Sequence, residues 1–316
     1  MLNTDLLSYT KGSDYLQTRT RHPRNIMPNF ALYCDWVIWD ASHIYIDLGK
    51  KPKTIYVRSD IHALNYFVIQ LLPRVKNDFI LITTSHDLTM PLGFAREFNF
   101  DWRRVAENNF LRMWFTENRD LLHGKIKPLT LGLPFPDLPS WVTGVNSGTV
   151  WDEKFFIKSR SLVRSEKIPK IFGCWYPRAD HISGTCPADN NERQMAYDHF
   201  INKNEVFDWH LPGLSRLEFL EKMGEYQFVL CPHGGGLDPN PKCWEALIMK
   251  AIPIVKRNSI SESLEHLPVL IVDDWPEVTS DRLRVFHEKN IERLHDQRIE
   301  YLMSNSYYYS NIIKHL

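Results

Sequence analysis

Short apolar runs alternate with a helical pattern along the first half of the chain. The segment IHALNYFVIQLLPRV has the apolar spacing of a helix with one covered face. The runs around it are rich in β-branched and aromatic residues and predict strands: ALYCDWVIWD, HIYIDLG, TIYVRSD and FILITTSHD. Near-continuous apolar strands joined by helices are typical of parallel sheets with both faces covered. The first half is therefore predicted to be a Rossmann-like α/β domain.

The same rhythm resumes in the second half. Ser215 and Glu218 form a capping box for a helix that stops at Gly224. The other predicted elements are strand IPKIFGCWY, helix NERQMAYDHFINK, strand YQFVLCP, helix KCWEALIMK, and strands IPIV and PVLIVDD. This order predicts a second doubly wound α/β domain. From about Asp281 the chain is charged and has a helical pattern, which predicts a helical tail.

The two halves are separated by a stretch rich in Pro, Gly and Ser, LTLGLPFPDLPSWVTGVNSGTV. A charged patch follows it, and a chain of 316 residues is long enough for two domains. We therefore predict one α/β domain over residues 1–165, a second over 166–280 and a helical tail over 281–316.

Composition and charge exclude several function classes. Lys plus Arg equals Asp plus Glu at 38 each, so no general attraction to nucleic acid or acidic membranes is expected. No apolar run long enough to span a membrane occurs, which predicts a cytoplasmic chain. The five cysteines include no Cys-x-x-Cys pair, so we expect reduced thiols rather than disulfides or a zinc site. The oligomeric state stays open.

The segment from residue 227 to residue 255 carries the most specific chemistry. It predicts a strand, a glycine loop, a helix and a second strand. A helix N-terminus attracts anions, and a glycine-rich approach lets a diphosphate come close. Pro241 suits the first helical turn, and Lys242 is expected to add a positive charge at the mouth of the site. Glu245 is expected on about the same face, where its carboxylate can accept from both hydroxyls of a ribose.

This segment resembles the C-terminal signature of exostosin-like glycosyltransferases, family 47, and of related enzymes encoded by large algal viruses. The matching residues are Cys231-Pro232, Lys242, Glu245-Ala246-Leu247, Ala251 and Pro253-Ile254. The departures are Lys242 where Arg is usual, Asn240 where Ser is common, and Ile252 where Cys is frequent. The resemblance implies a GT-B fold, with two domains facing a cleft. It also implies inverting sugar transfer from a nucleotide sugar without an essential metal.

Other basic and glycine residues are candidates for the donor site. Gly234 and Gly235 belong to the loop, and His233 beside them can donate a hydrogen bond to a diphosphate or be a plain loop histidine. Arg178 and Arg193 flank a polar loop after the first strand of the second domain, where open α/β sheets bind ligands. Arg193 is similar to an arginine that the family places after its glycine loop. Solvated surface arginines are the alternative for both.

Candidates for the catalytic base lie in the first half. An inverting transferase needs a carboxylate or histidine to take the proton of the acceptor hydroxyl. Asp60 and Asp87 end predicted strands, and we expect Asp87 to be the base, with Asp60 and His86 as runners-up. Capping of the following helix is the alternative for each aspartate. The segment LTMPLGF after Asp87 contains a proline and a glycine and predicts a loop shaped around the acceptor.

These observations predict a metal-independent, inverting glycosyltransferase with a glycan acceptor domain first and a nucleotide-sugar donor domain second. The expected donor is a UDP-sugar such as UDP-xylose, and no cofactor is expected. The eukaryotic family members usually carry a membrane anchor, so its absence here indicates a viral or bacterial setting, in the host cytoplasm if viral. Two alternatives remain. One is a fucosyltransferase-like GT-B enzyme that uses a GDP-sugar, and the other is a catalytically inactive carbohydrate- or nucleotide-binding module.

Overall fold

The computed structural model describes residues 30–38, 44–84, 88–130, 132, 158–177, 191–239 and 241–316. The strands of its first sheet are β1 (Trp36–Ile38), β2 (Ile44–Tyr45), β3 (Thr54–Arg58), β4 (Phe79–Thr84), β5 (Leu111–Glu117) and β6 (Ile126–Leu129). They pair in the order β2-β1-β3-β4-β5-β6. The edge strand β2 is antiparallel to β1, and the other five strands are parallel and follow chain order.

The second sheet is parallel throughout. Its strands are β7 (Ile168–Gly173), β8 (Phe207–Trp209), β9 (Tyr226–Leu230), β10 (Ile252–Lys256) and β11 (Leu270–Val272). They pair in the order β11-β10-β9-β7-β8. The chain passes from β7 to β8 on one side and then to β9 on the other, so the strand order reverses between β7 and β9. The two mainly parallel sheets confirm the predicted α/β class.

Helices connect the strands and form the C-terminal tail. The α-helices are α1 (Ile61–Tyr66), α2 (Leu92–Phe98), α3 (Arg103–Ala106), α4 (Glu192–Phe200), α5 (Arg216–Gly224), α6 (Pro241–Ile248), α7 (Ser280–His295), α8 (Arg298–Leu302) and α9 (Asn305–Ile312). The predicted capping box of α5 is present, since Ser215 N donates to Glu218 Oε2 at 2.8 Å and Ser215 Oγ accepts from Glu218 N. No helix within the described ranges is long and apolar enough to cross a membrane.

The first sheet is covered on both faces, as its apolar strands predict. Alternate residues of a strand point to opposite faces, so neighbours in β3 and β4 enter different cores. Ile55 and Leu81 pack in a core that includes residues of α1 and α2. Tyr56 and Ile80 join a second core, which continues through the second sheet to α9. A shared core therefore connects the two sheets.

The tail is helical as predicted, and its helix α9 contacts a segment next to each of the two sheets. Tyr309 Oη donates to the carbonyl of Tyr33 at 2.8 Å, ahead of β1. Tyr308 Oη donates to the carbonyl of Ser263 at 3.0 Å, in the segment after β10. The tail thus ties the start of the described chain to the second sheet. The domain limits at residues 165 and 280 stay predictions.

Two local predictions were wrong. The first residues of the run ALYCDWVIWD belong to a 3-10 turn, Phe30–Tyr33, and the strand in the described part of this run is Trp36–Ile38. The predicted loop after residue 87 instead contains the start of α2. The carboxylate of Asp120 accepts from Leu92 N at 2.9 Å and Gly93 N at 2.7 Å, so a distant residue caps the helix and satisfies its free donors.

Candidate functional site

The reversal of strand order between β7 and β9 places a crevice at the carboxyl edge of the second sheet. Open α/β sheets bind ligands at such points, because the chains leaving the two strands turn to opposite sides. Cys174 and Trp175 follow β7, and Cys231 and the glycine loop follow β9. The predicted donor-site segment therefore lies at the position where this topology favours a ligand.

Helix α6 leads away from this crevice and is buried almost along its whole length. Its residues from Lys242 to Ile248 are all buried, including one lysine and one glutamate. Charged side chains are rarely buried unless they are paired. The two charged residues of α6 are thus placed for a specific interaction rather than for contact with solvent.

Lys242 lies inside the protein, and not at the mouth of the crevice as the sequence suggested. It is 8% exposed, and its Nζ donates to the carbonyl of Cys174 at 2.9 Å. The same Nζ lies 5.0 Å from the centre of the Trp175 ring, a cation-π distance. Burial, with a smaller contribution from nearby Arg193, lowers the pKa of Lys242 from its ordinary value of 10.5 to about 8. The ammonium is therefore still protonated at neutral pH and supplies a desolvated positive charge.

Arg193 lies against the glycine loop. A Cβ placed on Gly234 would come within 2.9 Å of Nη2 of Arg193, so a side chain at this position would displace the guanidinium. Arg193 sits in the first turn of α4, and its carbonyl accepts from Trp175 Nε1 at 3.0 Å. The structure thus brings together the predicted residues Arg193, Gly234 and Lys242 around the carboxyl ends of β7 and β9.

Glu245 follows Lys242 by one turn of α6 and is 5% exposed. Its Oε1 accepts a hydrogen bond from Nη2 of Arg216, the first residue of α5. A carboxylate has two oxygens with about four acceptor positions, so this ion pair leaves capacity for ligand hydroxyls. The sequence indicated Glu245 but not Arg216, because in the sequence Arg216 is only a residue at the start of a helix with a capping box.

The remaining donor-site candidates are less defined. His233 is 8% exposed, and its Nδ1 lies 3.4 Å from the carbonyl of Gly234, which is a long contact for a hydrogen bond. Gly235 is half-buried in the same loop. Arg178 lies outside the described residues. The loop therefore contains His233, Gly234 and Gly235 as predicted, and Gly234 is the one of the three that lies against Arg193.

On the acceptor side, the structure describes one of the three candidate bases. Asp60 caps α1, since its Oδ1 accepts from His62 N at 3.0 Å and Ala63 N at 3.1 Å. Helix capping was the alternative to a catalytic role that the sequence left open for Asp60. Asp87 and His86 lie outside the described residues, after β4 ends at Thr84. Asp87 stays a prediction.

A cavity of about 300 Å³ opens beside the carboxyl ends of β5 and β6. Its walls combine aromatic rings with polar side chains. They include Phe115 and Lys127 from the first sheet, Glu262 and His266 from the segment after β10, and Tyr307 and Asn311 from α9. Burial lowers the pKa of His266, which favours the neutral form of its imidazole. Since its Nε2 lies 3.1 Å from the carbonyl of Leu302 and must donate there, its Nδ1 is an acceptor.

The four described cysteines are buried free thiols, as predicted. Burial raises the pKa of Cys231 to about 12 and raises that of Cys174, so both stay neutral beside Lys242. The thiols therefore add no charge to the crevice, where Lys242 and Arg193 supply positive charge and Glu245 is paired with Arg216.

Comparisons with known proteins were made by sequence and by structure. No protein-family model and no curated protein sequence matches the chain. The catalytic domain of starch synthase IV from Arabidopsis thaliana, bound to ADP and acarbose, aligns with 84% of this chain and 73% of its own at 11% identity and a TM-score of 0.33. An alpha1,3-fucosyltransferase aligns with 90% of this chain and 78% of its own, at 11% identity and a TM-score of 0.37. TM-scores this low carry no argument, and the fold assignment rests on the strand order.

Proposed function

We propose that this protein is a glycosyltransferase of the GT-B type that binds a nucleotide-diphosphate sugar at the crevice between β7 and β9. The observation that carries the proposal is the placement of two cations, Lys242 and Arg193, around a glycine loop at the point where the strand order reverses. A glycine loop, a following helix N-terminus and desolvated cations together form a site for a diphosphate.

The charge of the site favours an anion over a neutral ligand. Lys242 carries its charge in a buried position near Arg193, so an anion at this crevice is attracted by two cations in surroundings of low dielectric. Trp175 and the Cys174 carbonyl fix the ammonium, so little reorganisation is needed on binding. A diphosphate has the negative charge and the acceptor oxygens that such a site requires.

Glu245 suits the ribose of the same nucleotide. It stands one turn beyond Lys242, and Arg216 orients its carboxylate. Such a carboxylate also favours a nucleotide over a free diphosphate, because only the nucleotide has vicinal hydroxyls that can donate to it. The proposal takes the donor to be a UDP-sugar, and the resemblance of residues 227 to 255 to exostosin-like enzymes supports this choice.

The proposed chemistry needs one base and a stabilised leaving group. The oxygen of an acceptor hydroxyl attacks the anomeric carbon, the bond from that carbon to the diphosphate breaks, and the configuration inverts. The hydroxyl proton passes to Asp87, and the departing diphosphate is stabilised by Lys242, Arg193 and the helix N-terminus. These positive groups take the place that a metal ion would have, so the reaction is proposed to need none.

The acceptor is proposed to be a glycan that uses the cavity of about 300 Å³ beside β5 and β6. Small-molecule sites occupy roughly 300 to 1,000 Å³, so this cavity has room for a short saccharide portion. Its lining carries one lysine, one glutamate, neutral hydrogen-bonding groups and aromatic rings, which suits an uncharged polyhydroxylated ligand.

A thermal-shift screen with UDP, GDP, ADP and CDP tests the donor site. A ligand that binds only the native state raises the melting temperature, so we expect one diphosphate to raise it in a concentration-dependent way. The matching nucleoside should give little shift, because it lacks the diphosphate. If no diphosphate stabilises the protein, or if the nucleoside does so equally, the proposed site is wrong.

A further inference from the structure

The glycine loop of the second sheet is held at its far end by a residue of the first sheet. Asn118 follows β5 directly and is 3% exposed. Its Oδ1 accepts from Leu237 N at 2.8 Å and from Asp238 N at 3.0 Å. One side-chain oxygen thus binds two consecutive backbone amides of the loop, over a sequence separation of about 120 residues.

The fit between this asparagine and the loop is close. A Cβ on Gly236 would come within 2.4 to 2.6 Å of the atoms of the Asn118 amide group, so only glycine fits at this position. Asn118 itself has a φ of 49°, in the left-handed region that asparagine tolerates better than most residues. Both partners of the contact therefore have residue types suited to this geometry.

The next residue, Arg119, extends the contact to a second loop. It is 4% exposed, and its Nη1 donates to Glu262 Oε1 at 3.1 Å, in the segment after β10. Its Nη2 donates to the carbonyl of Ser259, and Ser259 Oγ donates to the carbonyl of Arg119. Asn258 Nδ2 closes the arrangement by donating to the carbonyl of Leu237 at 2.6 Å. Asn118 and Arg119 thus anchor the glycine loop and the segment after β10 to the first sheet.

We propose that Asn118 is a positioning residue for the nucleotide site, setting the glycine loop from the opposite sheet. Gly234, which lies against Arg193, is only two residues before Gly236, which lies against Asn118. A change in the position of Leu237 and Asp238 is therefore expected to move Gly234, the part of the loop that faces the proposed diphosphate site. Donor affinity then depends on the docking of the first sheet onto the second. This inference rests on the proposed function.

Three variants of Asn118 separate its acceptor oxygen from its backbone conformation. Asn118→Asp keeps an acceptor oxygen and tolerates the left-handed φ. Asn118→Gly keeps the φ and removes the oxygen, and Asn118→Ala removes the oxygen and strains the backbone. Asn202→Ala is a matched control, since Asn202 is an exposed residue after α4.

The first readout is amide hydrogen exchange in the full chain without ligand. Exchange at Leu237 and Asp238 is expected to accelerate in Asn118→Gly and Asn118→Ala and to stay near wild type in Asn118→Asp and Asn202→Ala. The second readout is the Kd of whichever nucleoside diphosphate the wild type binds, measured by calorimetry. We expect about tenfold weaker binding in the Gly and Ala variants, from the loss of anchoring hydrogen bonds.

Each outcome decides the inference. Faster exchange with unchanged Kd in Asn118→Gly overturns it, because the loop would then be anchored without any effect on the donor. Equal acceleration of exchange in Asn118→Asp and Asn118→Gly also overturns it, because the acceptor oxygen would then not be the cause. If the wild type binds no nucleoside diphosphate, the proposed function fails, and this result is distinguishable because exchange still reports on the anchor by itself.

Discussion

Replacing Lys242 by methionine is expected to stabilise the fold while it impairs the site. Burial lowers the pKa of Lys242 from 10.5 to about 8. This difference corresponds to roughly 3 kcal/mol of unfavourable free energy in the folded, protonated state. Removal of the bond from Nζ to the Cys174 carbonyl offsets about 1 kcal/mol of the gain. Lys242→Met should therefore raise the free energy of unfolding by roughly 2 kcal/mol at neutral pH.

The same substitution is expected to weaken binding of the nucleoside diphosphate. Hydrogen bonds to charged groups contribute about 1.5 to 3 kcal/mol, so the Kd should rise by tenfold or more. A stabilised fold with a weakened ligand site is the trade-off expected where a charge is buried for function. Lys289→Met is the matched control, because Lys289 is exposed on α7 and should change neither quantity.

The pH dependence gives this prediction a definite sign. Below pH 8 Lys242 is protonated in both the folded and unfolded states, and the folded state carries the full cost of the buried charge. Between about 8 and 10.5 the folded state releases the proton while the unfolded state keeps it, so this residue's contribution to stability improves as pH rises. The stability difference between Lys242→Met and wild type should therefore shrink across that window. Binding of the diphosphate should weaken above pH 8, where the ammonium is lost.

Chemical denaturation at pH about 7 and about 10, with calorimetric titration of the diphosphate, measures both effects. A variant that is less stable than wild type and binds the diphosphate normally would refute the reasoning. Lys242 would then be a structural link between α6 and β7 and not a ligand of the donor.

Three further predictions concern the other site residues. Glu245→Gln should weaken binding of the nucleoside diphosphate by about 1.5 to 3 kcal/mol in calorimetry while leaving the Kd of inorganic diphosphate unchanged, and equal changes in both would remove Glu245 from the ribose site. Asp87→Asn should lower the transfer rate by roughly 10²-fold or more, with donor affinity retained. Asp60→Ala should cost about 1 kcal/mol of stability, because a helix cap is lost, with the transfer rate retained. The reverse result would exchange the roles of the two aspartates. Turnover should survive EDTA, and restoration of lost activity by magnesium or manganese would contradict metal-independent transfer.

The parts of the site that could be predicted depend on local signals. A strand followed by glycines, Pro241 and an apolar helical period identifies the loop and α6 within one short segment. The capping box of α5 is likewise contained in four residues. Strand β8 has only three residues, too few for a period to show, and the sequence did not indicate it.

The contacts that complete the site join distant positions. Arg216 precedes Glu245 by 29 residues, and Asn118 precedes Leu237 by 119. Asp120 caps α2 from 28 positions away. None of these partners has a local pattern, because each pairing exists only after the strands have assembled. The burial of Lys242 is of the same kind, since it follows from the packing of α6 against β9 and β10 and not from the helix sequence.

The release of nucleoside diphosphate from a panel of UDP- and GDP-sugars tests the central claim most directly. The full chain is incubated with each donor in EDTA, with and without a mixture of oligosaccharide acceptors, and the diphosphate is quantified. The account predicts slow release from one donor alone, faster release with an acceptor, and loss of both in Lys242→Met. Binding of a diphosphate without release from any donor would contradict it and indicate a nucleotide-binding module.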